Sequence, residues 1–152
     1  MVRGKFYSGQ DDLTEILKIR KIVFQEELQI PLEVEADGQD DFCMHVLAFE
    51  GDVPVAIGRI SFDGWDFVIS RVAVLPEYRG KKYGDFIVRM LVDKAMMSNA
   101  KEVQLDAFEE TIGFFETIGF RAKEAAGVWA NRTLVHMVLD TDSIHKCCNC
   151  KH

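Results

Sequence analysis

Apolar residues recur at helical spacing near the start of the chain, at Leu13, Ile16, Leu17, Ile19, Val23, Phe24 and Leu28. That stripe predicts an amphipathic helix of about four turns. Asp11 or Asp12 caps it and Pro31 ends it. Ahead of it, Lys5, Phe6 and Tyr7 read as a short first strand. Residues 33–41 carry Glu33, Glu35, Asp37, Asp40 and Asp41 around Gly38, too polar a run for a core element, and read as a loop with one helical turn. Residues 44–50 and 53–60 are two strands joined by a Gly51-Asp52 turn, and residues 66–74 follow Gly64 as a third, in an antiparallel meander.

The pattern then changes character. Residues 65–95 pass from a β-rich run stopped by Pro76 to the basic loop Arg79-Gly80-Lys81-Lys82-Tyr83-Gly84. Beyond it, Tyr83, Ile87, Met90, Leu91 and Ala95 repeat at helical spacing. Strand, glycine-bearing basic loop and helix in that order place backbone N–H groups at a helix N-terminus, where an anion can sit. Residues 102–107 are a further strand, 111–118 a short helix with Gly119 just past its end, and 120–124 and 133–139 two last strands with Gly127 in the turn between them. The succession predicts a mixed α/β domain, one sheet with helices on both faces, over residues 1–140, followed by a polar tail, 141–152.

The 152 residues suit a single domain with a sizeable core. No apolar run reaches the roughly 18–20 residues of a membrane span, and no signal-peptide core follows the N-terminus, so a cytoplasmic protein is expected. The net charge of −7 argues against nucleic acid as a partner and suits a small cationic one. Cys147, Cys148, Cys150 and His152 crowd the last six residues. Their spacing is too tight for a paired zinc site, so no metal is expected.

Two nucleotide-binding patterns, GxGxxG and GxxxxGK[ST], are absent. The loop that is present, with Arg79, Lys81 and Lys82 around Gly80 and Gly84, is equally compatible with an anion site and with a basic turn capping a helix.

The run Arg71-Val72-Ala73-Val74-Leu75-Pro76-Glu77-Tyr78-Arg79-Gly80-Lys81-Lys82-Tyr83-Gly84 resembles the central motif of the GNAT superfamily of N-acetyltransferases. Arg79 and Gly84 match the ends of its Arg/Gln-x-x-Gly-x-Gly/Ala pattern. Lys82 stands at the middle glycine, which implies an ordinary backbone conformation there. Residues 19–28, the acidic loop, His45-Val46-Leu47-Ala48, residues 114–120, and His136 with Met137 are similar to the bacterial ElaA-like subgroup. The resemblance implies a mostly antiparallel sheet splayed where acetyl-coenzyme A binds. Val72, Ala73 and Val74 would offer main-chain groups to the pantetheine arm, the loop from Arg79 through Gly80, Lys81, Lys82 and Tyr83 to Gly84 would hold the pyrophosphate, and Phe115 would lie beside the thiol.

Amide formation from a thioester needs a neutral amine, hence a base, and a proton for the departing thiolate. The position that often carries a tyrosine donor in relatives is Phe115, which has no proton to give, so Tyr83 or water is the expected acid. Candidate bases are Glu27 on the first helix, His45 (paired with Asp41), Asp41 itself and Asp106. Cys43 lacks a basic neighbour and reads as a buried thiol, and Trp129 either lines the acceptor pocket or covers core. The expected activity is acetyl transfer from acetyl-coenzyme A to the primary amine of a small molecule or a basic peptide, in a protein whose edge strands also allow a homodimer. The alternative is a non-catalytic acyl-coenzyme A-binding protein.

Overall fold

The computed structural model describes residues 1–142, so the Cys147, Cys148, Cys150 and His152 tail lies outside the described residues. Two compact units emerge: Met1–Ser61 with Ile69–Leu91, and Phe62–Val68 with the chain from Val92 on. Among the described residues no helix is long and apolar enough to cross a membrane.

In the first unit the strands lie in the order β1 (Val2–Ser8), β2 (Met44–Glu50), β3 (Val53–Phe62), β4 (Phe67–Val74). β1 pairs antiparallel with β2, and β2 with β3. Helix α3 (Tyr83–Met97) packs on this sheet through Ile87, Val88 and Leu91, all fully buried. The approach is close enough that side chains are excluded beneath it. A Cβ at Gly58 would sit 2.6 Å from Ile87 Cγ2 and 2.7 Å from Leu91 Cδ1, and one at Gly4 would sit 2.2 Å from Met90 Sδ.

The first helical stretch departs from the expected single α-helix. Asp12 Oδ1 accepts the Thr14 N–H, and α1 (Thr14–Arg20) starts there. From Lys21 to Glu27 the chain continues as a π-helix, closed by Leu28 N–H donating to Val23 O and Ile30 N–H to Phe24 O. The wider turn still buries Val23 and Phe24. Pro31 then precedes α2 (Leu32–Glu35), the helical turn expected in the acidic stretch.

That stretch is not the solvated loop its composition suggests. Glu35 is 2% exposed and Arg20, also 2% exposed, donates to it through Nε. Arg20 Nη1 donates to Asp40 Oδ1 at 2.6 Å. Arg59 forks onto Asp37 at 3.0 and 2.7 Å, and its Nη1 reaches Asp40 Oδ1 at 2.9 Å. Arg71 Nη2 donates to the Glu35 carbonyl at 2.6 Å. Three guanidinium groups neutralise three carboxylates, which is what lets an acidic segment enter a low-dielectric interior. The cluster ties α1, α2, β3 and β4 together.

In the second unit the strand order is β5 (Glu102–Phe108), β7 (Arg132–Asp140), β6 (Arg121–Trp129), antiparallel throughout. Helix α4 (Ile112–Ile118) buries Phe115 and Ile118 and stops at Gly119, whose φ of +122° releases the chain into β6. The glycine is required twice, since a Cβ there would lie 2.9 Å from Leu139 Cδ1. Gly127 does not make the last turn. It lies within β6 at φ +87°, where the register shifts, and the turn is Ala130-Asn131, both at positive φ (51° and 64°). Two successive positive φ values are the signature of a type I′ hairpin turn.

Two substitutions test this architecture. Gly58→Ala overpacks the β3–α3 contact and lowers the urea unfolding free energy by about 1–3 kcal/mol. Glu35→Ala leaves Arg20 buried without its main partner and costs about 3–5 kcal/mol in the same measurement.

Candidate active site

The basic loop is built by backbone geometry more than by charge. Pro76–Tyr78 form a 3-10 turn, Gly80 follows at φ +80°, and Lys82 at φ +68°. The expectation of an ordinary conformation at Lys82 is therefore corrected: the residue takes the left-handed geometry of the glycine it replaces, at a cost of about 1–2 kcal/mol. The first α3 bond is donated by Phe86 N–H to Lys82 O. Helix geometry consequently leaves the N–H groups of Tyr83, Gly84 and Asp85 without acceptors in their own helix. Nothing lies within 4 Å of a Cβ built at Gly80, so the loop has open space in front of it. An open mouth, orphan donors and a 15-residue helix behind them fit a pyrophosphate.

The side chains of Arg79, Lys81 and Tyr83 in this loop are already engaged. Arg79 donates from Nε to Val74 O at 3.1 Å, and both its Nη groups reach Glu27 at 2.6 Å. These bonds hold the Glu27 carboxyl below the usual glutamate range. Lys81 Nζ lies 3.7 Å from Glu50 Oε1 and 5.4 Å from the Tyr78 ring centre. Tyr83 is buried at 8% exposure, its ring edge-on to Tyr78 at 6.4 Å. Burial and the neighbouring Glu50 push its hydroxyl pKa upward.

Just upstream, β4 bears Val72, Ala73 and Val74. Arg71, immediately before them, has φ +55° inside the strand, another left-handed residue that is not glycine. Its guanidinium is held by Glu35 and Asp37, so the buried cluster and the bend in β4 share one side chain. Hydrogen bonds from Arg59, with smaller contributions from Arg71, take Asp37 well below the carboxylate range.

His45 is 1% exposed, and its Nε2–H donates to the Asp40 carbonyl at 3.0 Å, not to Asp41. Nδ1 is buried with no hydrogen-bond partner among the described residues. Burial lowers its pKa, keeping the ring neutral. Cys43 is buried and free, its thiol pKa raised by burial. In the second unit, Phe115 packs edge-on to Phe114 at 4.9 Å and to Phe120 at 5.9 Å. Asp106 meets His136, whose Nδ1 is 2.8 Å from Asp106 Oδ1. Trp129 stacks on Phe108 with ring centres 5.9 Å apart.

The candidate bases Glu27, His45 and Asp106 thus each have their own partner: Arg79, the Asp40 carbonyl and His136. Sequence reasoning missed the arginine cluster. Its signal was present, since Arg59 and Arg71 each interrupt a largely apolar strand and Arg20 stands between Ile16 and Phe24 at helical spacing on the apolar face of α1, and a charge there needs a partner.

His45 carries a testable pH dependence. Its folded pKa lies below the ordinary 6.5, so its contribution is complete above that value and is lost as pH falls through the folded value. The unfolding free energy should therefore decline below about pH 6.5, and His45→Gln, which keeps a donor for the Asp40 carbonyl, should flatten that decline. Asp37 and Asp40, held below 3.8, act only in a separate window at lower pH.

Comparison with known proteins agrees with the fold. Residues 11–120 match the model of the acetyltransferase (GNAT) family. A Bacillus subtilis protein named as a candidate acetyltransferase is 33% identical over 125 residues, 77% of this chain and 82% of its own. The crystal structure of Escherichia coli ElaA superposes with a TM-score of 0.80 at 24% identity, covering 92% of this chain and 100% of that one. An acyl-CoA N-acyltransferase from Pseudomonas aeruginosa gives 0.82 at 21% identity over 91% and 99%. With β4 bent ahead of a glycine-bearing loop and α3, and with that family model spanning most of its length, the chain belongs to the GNAT family of N-acetyltransferases.

Proposed function

We propose that the protein transfers the acetyl group of acetyl-coenzyme A directly to the primary amine of a small molecule or of a basic peptide. Residues 1–140 form the catalytic domain in this reading. The observation that carries it is the loop at the head of α3, with its orphan N–H groups, its open face at Gly80 and its left-handed Lys82. Arg79, Gly80, Lys81, Lys82, Tyr83 and Gly84 would hold the pyrophosphate, and Val72, Ala73 and Val74 the pantetheine arm by strand-like main-chain bonds. When bound, acetyl-coenzyme A supplies an activated acyl group. The chain must orient it, offer a main-chain donor to the carbonyl oxygen, and take a proton from the amine. The Glu27–Arg79 pair has to open if Arg79 is to face a phosphate, so Glu27 serves better as a gate on the anion site than as the base. The acyl-CoA N-acyltransferase among the structural neighbours supports the cofactor. A free buried thiol at Cys43 suits the reducing cytoplasm.

A second reading, an acyl-coenzyme A-binding protein without turnover, draws on Phe115, whose ring packs against Phe114 and Phe120 and offers no proton to a thiolate. A thiol with a pKa near ~8.5 leaves without an acid, so turnover is expected.

The test joins calorimetry with coenzyme A to thiol release from acetyl-coenzyme A across polyamines, amino-sugars and peptides with basic ends. Binding together with acceptor-dependent release is expected. Binding with no release from any amine supports the second reading, and no binding removes both.

A further inference from the structure

Arginine meets carboxylate in two different settings within the first unit. Arg20 and Glu35 are sealed from solvent, where neither can exchange its partner. Arg79 and Glu27 are not sealed: their side chains are 44% and 35% exposed. Yet the contact is complete on both sides. Arg79 Nη1 donates to Glu27 Oε2 and Nη2 to Glu27 Oε1, each at 2.6 Å, a fork that fits a carboxylate and a phosphate equally well. The third nitrogen, Nε, donates to Val74 O at 3.1 Å. One side chain therefore spans the π-helix Lys21–Glu27, the last residue of β4 and the loop that heads α3.

The two ends of this contact differ in how firmly they are held. The wide turn carrying Glu27 is anchored by the buried Val23 and Phe24 and closed by Leu28 N–H on Val23 O. Arg79 is the longer and more exposed partner, so it is the one able to move. Lys81, 3.7 Å from Glu50 Oε1, is engaged in the same way. Of the three loop cations, only Lys82 makes no ion pair among the described residues. The chain's own carboxylates thus neutralise most of the positive charge that a pyrophosphate would meet. An exposed pair of this kind is weak, since water and salt compete for both partners. A pyrophosphate seated on the N–H groups of Tyr83, Gly84 and Asp85 is a stronger competitor, bringing more charge in the same fork geometry.

Resting on the coenzyme A reading above, we propose that Arg79 is an autoinhibitory latch, drawn across the empty cofactor site by Glu27 and by the Val74 carbonyl. The pyrophosphate replaces the Glu27 carboxylate as the acceptor for the guanidinium. The same movement takes Nε off Val74 O, and so frees a main-chain acceptor on the strand assigned to the pantetheine arm. Glu27 accordingly opposes cofactor binding, although it sits beside the cofactor's cations.

The test uses the full chain and two readouts. Arg79 Nε–H, assigned in 1H–15N spectra by its loss in Arg79→Lys, should shift saturably as coenzyme A is added. In calorimetry with coenzyme A at one ionic strength, Glu27→Gln should bind about two- to fivefold tighter than the unsubstituted protein, and Glu27→Ala at least as tightly as Glu27→Gln. Glu77→Gln is the control. Glu77 acts on Arg79 through charge alone, so its loss should strengthen binding less than the loss of Glu27. An Arg79 signal unmoved at saturation overturns the latch. So does a Glu27→Gln affinity equal to or below that of the unsubstituted protein, or one that Glu77→Gln matches. Each of these results leaves the coenzyme A reading standing. Absence of coenzyme A binding by both the unsubstituted protein and Glu27→Gln overturns the two together.

Discussion

The buried exchange of charge between Arg20, Arg59 and Arg71 and the carboxylates Glu35, Asp37 and Asp40 is the constraint on which the rest of the first unit depends. Each of the six is expensive inside a protein alone. Together they are neutral, and their hydrogen bonds fix the position of α1, α2, β3 and β4 at once. The same cluster holds Arg71, whose left-handed backbone bends β4 just ahead of the residues assigned to the pantetheine arm. A structural network therefore bears on the geometry of the strand proposed to hold the pantetheine arm, and under that proposal weakening the network should be felt in cofactor affinity as well as in stability.

A second constraint is the closeness of α3 to the sheet. Gly58 leaves no room for a Cβ beneath the helix, so the helix is held against the backbone of β3 by its Ile87 and Leu91 side chains. Its N-terminus is thereby fixed too, and with it the orphan N–H groups of the loop. Lys82 pays a small conformational cost to keep that loop in shape, offset by tight helix–sheet packing behind it.

Most elements could be read from period and punctuation. The strand at residues 44–50 is found at those bounds, and Gly119 ends α4 as its position suggests. Three features escaped because they depend on distant partners. The π-helical turn at Lys21–Glu27 keeps the same apolar stripe as an α-helix, so spacing does not reveal it. The acidic stretch looked solvated because its three arginines come from elements 15 to 36 residues away. Gly127 looked like a turn residue, whereas Ala130 and Asn131 turn the chain. The succession of strand, glycine-bearing basic loop and helix is local and was legible. The pairing of Asp106 with His136 spans 30 residues and needed the strand register.

The central claim is that the loop heading α3 receives the phosphates of coenzyme A. The most direct measurement is a titration of 15N-labelled protein with coenzyme A, followed through its backbone amides. The account predicts the largest shifts at Gly80, Tyr83, Gly84 and Asp85, with saturation. Saturable binding that leaves those four amides unmoved would contradict it.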